Sequence, residues 1–108
     1  MNSVTMIGTL TKDPELSERA DTKICDLRVA DHGRKDSPVF IDVSVFQRQA
    51  EVCSQYLSKG RQVAVTGQLR YSEWEAEDGS KHSKHSIVAD RVDFLTSDKR
   101  RGSDKGSE

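Results

Sequence analysis

The chain is poor in the residues that do chemistry on their own. It has two cysteines in 108 residues, Cys25 and Cys53, without zinc-type spacing and each set inside an apolar pattern. Reduced, buried thiols in a cytosolic protein are therefore expected. No run of about 18 apolar residues occurs, which excludes a membrane-spanning helix. The opening Met1-Asn2-Ser3-Val4-Thr5 lacks the charged and apolar regions of a signal peptide. There is no Gly-rich phosphate loop, metal-ligand cluster or nucleophile–base pairing, so neither catalysis nor a cofactor is expected. His82 and His85 lack a further ligand at suitable spacing, and metal is not expected there. An excess of one charge is missing too: 17 Lys and Arg stand against 18 Asp and Glu, a net of -1. A nucleic-acid binder is expected to show a basic footprint. Composition alone argues against one unless the charges are segregated.

What is present is enough for one domain. Hydrophobic residues make up 33% and charged residues 32%, which suffices for a single thin core. Residues 1–95 carry short alternating segments and turn residues, with no internal repeat. Residues 96–108, TSDKRRGSDKGSE, contain no apolar side chain and are expected to form a disordered polar tail.

The first strand is expected at Val4 to Leu10, with Gly8 marking a bulge or sharp bend. A turn at Lys12 to Glu15 and a polar loop to Thr22 follow. The second strand, Lys23 to Ala30, puts Cys25, Leu27 and Val29 on one face. In the third, Val39 to Phe46, the odd positions Val39, Ile41, Val43 and Val45 face the core. The even positions Phe40, Asp42, Ser44 and Phe46 face away. A helix over Arg48 to Lys59 sets Ala50, Cys53, Tyr56 and Leu57 on one side and stops at Gly60. The fourth strand, Gln62 to Trp74, groups Val63, Val65, Leu69 and Tyr71 by one parity and Gln68, Arg70 and Trp74 by the other. Asp78-Gly79 makes a two-residue hairpin turn, and the fifth strand runs from Lys81 to Leu95. This order predicts an all-β domain with one short helix: a five-stranded Greek-key OB-fold barrel with an extended hairpin.

Asn2-Ser3-Val4, Gly8-Thr9-Leu10 and Asp13-Pro14-Glu15 resemble the start of bacterial single-stranded DNA-binding proteins. So do Phe46-Gln47-Arg48-Gln49-Ala50-Glu51 and Tyr56-Leu57-Ser58-Lys59-Gly60. Gly67-Gln68-Leu69-Arg70, with Trp74 and the Asp78-Gly79 hairpin beyond, is the most specific part. The resemblance covers residues 1–95. It implies sequence-independent coating of single-stranded DNA in replication, repair or recombination, in a cytoplasmic, nucleoid-associated protein. It also implies a homotetramer, with a dimer as the alternative.

A binder indifferent to sequence needs aromatic faces for bases and cations for phosphates. The resemblance places stacking on Phe40, Phe46 and Trp74, and the parity of the third strand independently turns Phe40 and Phe46 outward. For phosphates the expected residues are Arg48, Lys59 and Arg70, then Arg28, Arg34 and Lys35. Several departures from the family point to weaker or more salt-sensitive binding. Gly33-Arg34-Lys35 stands where well-studied members have a further tryptophan, Asp42 where an arginine helps phosphates, and Glu73 where lysine is common. In the hairpin, Glu73, Glu75, Glu77 and Asp78 are expected to face Lys81, His82, Lys84 and His85, fixing its register by charge. That self-paired hairpin competes with a DNA-gripping one.

The tail lacks the acidic run and Ile-Pro-Phe-like tip of familiar members. The expectation is a short paralogue rather than a cut chain, without tail-mediated recruitment of repair proteins. The competing reading is an OB-fold interaction module with weak DNA binding, as in the related primosomal replication protein. The Trp74 motif and the helix end at Tyr56 to Gly60 argue against it.

Overall fold

The structure, a computed structural model, describes residues 1–31, 33 and 36–95. The expected tail and the candidates Arg34 and Lys35 lie outside the described residues. Seven elements follow one another: β1 (Val4–Leu10), β2 (Glu15–Arg19), β3 (Thr22–Asp31), β4 (Val39–Phe46), α1 (Gln47–Tyr56), β5 (Gln62–Glu75) and β6 (Lys81–Phe94). The sheet order is β1-β5-β6-β4-β3-β2, and a β1–β3 pairing (Thr9 with Ala30, Leu10 with Val29) closes the ring. All neighbours are antiparallel except β4 and β6. The result is an OB-fold barrel.

Alternation in sequence becomes burial in space because successive strand side chains point to opposite faces. Leu10, Leu27, Val29, Val43, Val45, Val63, Val65 and Ile87 fill the barrel, with at most 2% of any of them exposed. From α1 and its end, Ala50, Cys53 and Leu57 join the same cluster. Fully burying each aliphatic side chain contributes about 1.5–3 kcal/mol against leaving it exposed. Lys23 on β3 and Glu51 on α1 form an ion pair that ties the helix to the sheet.

Closure needs two glycines. A Cβ on Gly8 would collide with the carbonyl oxygen of Ala30, where β1 leaves β5 for β3. A Cβ on Gly67 would collide with the carbonyl oxygen of Val88, beside a register shift between Thr66 and Gly67. The irregularity lies between β5 and β6, where Thr66 pairs with Arg91 and Gly67 with Ala89, leaving Asp90 of β6 as the extra residue, while Gly8 marks a close backbone crossing.

Several expectations are corrected. The loop expected before Thr22 contains β2, a wholly exposed strand paired with β3 from Glu15–Asp26 to Arg19–Thr22. With both faces in water it has no hydrophobic alternation to betray it. The helix starts at Gln47 and ends at Tyr56, so Gly60 (φ +93°) belongs to a later turn, where its N–H donates to the Leu10 carbonyl. Tyr56 is 63% exposed rather than packed with Cys53. Val39, Leu69 and Tyr71 have the parity of the core but lie where their strands run past the barrel, and are exposed. The hairpin loop is Ala76 to Ser80, closed by Gly79 N–H to Ala76 O at 2.9 Å and Ala76 N–H to Ser80 O at 2.8 Å, not a two-residue turn.

Candidate nucleic-acid interface

The face of β3, β4, β6 and β5 that turns away from the core is continuous, because paired residues share a side of the sheet. One row crosses Arg28, Asp42, Ser86 and Arg70. The next crosses Asp26, Ser44, Val88 and Gln68. Phe40 pairs with Ala30 at one end of β4, and Phe46 pairs with Ile24 at the other. Six residues of strand separate the two rings, about 20 Å. Trp74 shares the parity of Arg70 and stands farther out on the β5–β6 hairpin, opposite His82. Phe40 and Trp74 are each 48% exposed, and Phe46 is partly buried.

The local sequence explains how these rings come to face outward. Phe46 ends β4 with extended backbone, and the next residue, Gln47, takes a left-handed φ of +63°. That turn sends the chain into α1 while Phe46 keeps the outward parity of Phe40. A non-glycine residue in this region costs of order 1 kcal/mol or more, which burial of Ala50 and Cys53 offsets. Beyond the barrel, Asn2 holds β5 in place. Its amide donates to the Leu69 carbonyl at 2.9 Å and its oxygen accepts from the Leu69 N–H at 2.8 Å.

The hairpin is not held by the expected charges. Glu75 faces Lys81, but Glu73 faces Ser83 and Ser72 faces Lys84, and no ion pair crosses the hairpin among the described residues. Two aromatic–imidazole pairs take their place, Trp74 with His82 on one face and Tyr71 with His85 on the other. The Tyr71 hydroxyl donates to Glu73 at 2.7 Å.

The cations are dispersed. Arg28 lies 5.6 Å from the Phe40 ring centroid, and its guanidinium donates to Asp42 at 2.9 Å. Lys84 donates to the other Asp42 oxygen at 2.7 Å. Partial burial works against ionising Asp42, but the hydrogen bonds from Lys84 and Arg28 outweigh it and hold its carboxyl below the ordinary range. Arg70 is exposed and forms no ion pair among the described residues. Arg48 is exposed at the start of α1, lining a recess with Asp21, Lys23, Gln47 and Glu51. Lys59 sits apart in the connection from α1 to β5, where its backbone N–H donates to Asp13 at 2.8 Å. The structure gathers Arg28, Arg70, Phe40, Phe46 and Trp74 on one face and leaves Lys59 off it. Sequence reasoning missed Lys84 as part of that face; its shared parity with Ser86 and Val88 was the available signal. Among the described residues no group of three or more His, Cys, Asp or Glu is placed to hold a metal, and no helix is long and apolar enough to cross a membrane.

A model of the single-strand binding protein family matches residues 1–95. The chain belongs to that family. It is 39% identical over 101 residues to a single-stranded DNA-binding protein of Clostridium perfringens, covering 90% of this chain and 67% of that protein. Identity to the single-stranded DNA-binding protein of Treponema pallidum is 43% over 105 residues, covering 90% of this chain and 59% of that one. With single-stranded DNA-binding protein 2 of Clostridium acetobutylicum it is 35% over 103 residues, 88% of this chain and 77% of the other. The chain thus spans about three fifths to three quarters of these relatives. In this family member the matched region coincides with the whole barrel and its hairpin, up to Leu95.

Proposed function

We propose that the chain binds single-stranded DNA without sequence preference and catalyses no reaction. The observation that carries this reading is the shared outward face, on which Phe40, Phe46 and Trp74 alternate with Arg28, Lys84 and Arg70. Every base has a π-face, so aromatic platforms take any sequence. Stacking contributes about 1–3 kcal/mol per base, a figure general to single-strand binders of this type. Arg70 and Arg48 supply uncommitted charge for phosphates, and Arg34 and Lys35 are further candidates by residue type. Net charge near zero is no obstacle when cations and aromatics share one surface. The process served is replication, repair or recombination.

The assembly we propose is a homotetramer, with a dimer as the alternative. An exposed strand such as β2, with open backbone groups along its outer edge, is a hazard that subunit packing can cover.

Labelled oligo-dT against duplex of equal length tests the function. Retention of the single strand and release of the duplex is expected; equal affinity for both overturns the reading. Sedimentation at micromolar concentration is expected to show a species of about four chains, and a monomer with full DNA affinity overturns the assembly.

A further inference from the structure

At the centre of the proposed DNA face, one carboxylate holds two cations. Asp42 accepts from Arg28 through one oxygen and from Lys84 through the other, at 2.9 and 2.7 Å. Arg28 comes from β3 and Lys84 from β6, the two strands flanking Asp42 on β4. Lys84, Arg28, Asp42, Phe40 and His85 line one hollow. The side chains of Asp42, Arg28 and Lys84 are 36%, 43% and 48% exposed, so an anion in solution can reach all three.

A carboxylate presents two oxygens on one centre sharing a single negative charge. A phosphodiester presents its two non-bridging oxygens in the same way. We propose that Arg28 and Lys84 form a phosphate site for the nucleic-acid backbone, and that Asp42 occupies it from within as a competing anion. This inference rests on the single-strand binding reading above and adds a residue that limits affinity.

The geometry ties the site to base stacking. Arg28 lies over Phe40 while donating to Asp42, so a phosphate in place of the carboxylate would sit one side chain away from a stacking platform. Spacing of that kind suits one nucleotide, its base on Phe40 and its phosphate between Arg28 and Lys84. The energetics explain why the competition matters. Exposed ion pairs are weak because water screens them, so DNA can displace the carboxylate. Asp42 stays beside the bound phosphate, however, and like charges that close repel one another even in high dielectric. Asp42 therefore sets the working affinity below what the cations alone provide, and keeps the strand exchangeable.

The test uses the full chain, oligo-dT and a salt titration of the wild type, Asp42→Asn, Lys84→Gln and the double variant. Asparagine keeps the shape of Asp42 and removes its charge. Asp42→Asn is expected to bind oligo-dT about three- to ten-fold tighter at low salt. Its log–log salt slope is expected to steepen by about 0.7 for each cation released to a phosphate. Lys84→Gln in the Asp42→Asn background should remove part of both gains. Asp42→Ser stands in if circular dichroism shows Asp42→Asn unfolded. An unchanged or weakened affinity with an unchanged slope, in a folded variant of a protein that binds oligo-dT, overturns this inference alone. Failure of the wild type to bind oligo-dT overturns the function proposed above together with it.

Discussion

The Trp74 indole lies on the His82 imidazole, ring centroids 5.7 Å apart and planes 22° from parallel. Across the hairpin the two residues are direct partners, so the register of β5 and β6 sets the orientation of the ring. The near-parallel imidazole flanks the indole, which stays 48% exposed and so open to a base. His82 is itself steadied by Ser80, whose hydroxyl lies 2.9 Å from its Nε2 and 2.6 Å from Asp78. A ring ordered before binding loses less entropy when a base arrives.

Trp74 is the only tryptophan, so its fluorescence reports one place. Oligo-dT at saturation is expected to quench it strongly, and duplex DNA is not. Trp74→Ala should weaken binding by about 1–3 kcal/mol. His82→Ala should weaken it less, by about 0.5–1.5 kcal/mol, through loss of the supporting stack. Unchanged Trp74 emission at demonstrated saturation removes this residue from the interface.

Salt separates the cations by role. Each phosphate neutralised by a residue contributes about -0.7 to the log–log slope for single strands. Arg70→Gln is expected to flatten the slope by about that amount, whatever the sequence of the strand, because Arg70 stands in the row of Arg28 and Asp42. Arg48→Gln should flatten it likewise, because Arg48 stands exposed at the start of α1, two residues beyond Phe46. Lys59→Gln should leave it nearly unchanged, since Lys59 lies off the face. A loss of about 0.7 with Lys59 and none with Arg70 reverses the assignment.

Gly67→Ala places a methyl group against the Val88 carbonyl and 2.9 Å from the Ala89 Cα, in backbone that has nowhere to go. A loss of about 1–3 kcal/mol in urea denaturation is expected. Gly60→Ala meets no atom within 4 Å but sits at φ +93°, and should cost about 1 kcal/mol through conformation alone. Equal stability of Gly67→Ala and the wild type contradicts the close approach of β5 and β6.

The cysteines are expected to be silent. Burial pushes the Cys25 thiol up to about 11, with the neighbouring Asp26 charge adding to it. Burial pushes Cys53 up to about 12, with Cys25 adding to it. Thiolate is the reactive form, so iodoacetamide at pH 8 should leave both untouched in the folded protein and label both in urea. Rapid labelling of the native chain places them outside the core.

Acid should unfasten the ion pairs. Asp42 and Glu51 titrate below their ordinary 3.8 and 4.5 when folded; for Glu51 the hydrogen bond and charge of Lys23 are the cause. Their contribution is complete above those ordinary values and is lost as pH falls through the lowered ones. Lys23 is raised above 10.5 by Glu51, so its share is present below 10.5 and fades as pH rises through the raised value. Thermal midpoints of the wild type should fall more steeply between about pH 5 and pH 3 than those of an Asp42→Asn, Glu51→Gln variant. Parallel curves contradict these pairings.

Side-chain direction along a strand is a local property, which is why the sequence by itself determined which way Phe40 and Phe46 face. Parity needs no partner: with Val43 and Val45 inward, Phe40 and Phe46 point out, and the buried set Leu27, Val29 and Val43 was readable for the same reason. The OB-fold order followed from the same alternation. Where local signal was absent the reading failed, as with β2, whose five residues are all exposed. The tertiary structure alone decided what each charge does. Lys84 looked like a hairpin partner of the acidic arm until the parallel pairing of Asp42 with Ser86 brought it to a carboxylate 42 residues away. The sequence holds no signal for such a contact, because it depends on how far one strand has slid along another. That offset comes from packing Ile87 beside Val43 in the core, and the outward-facing charges simply inherit it.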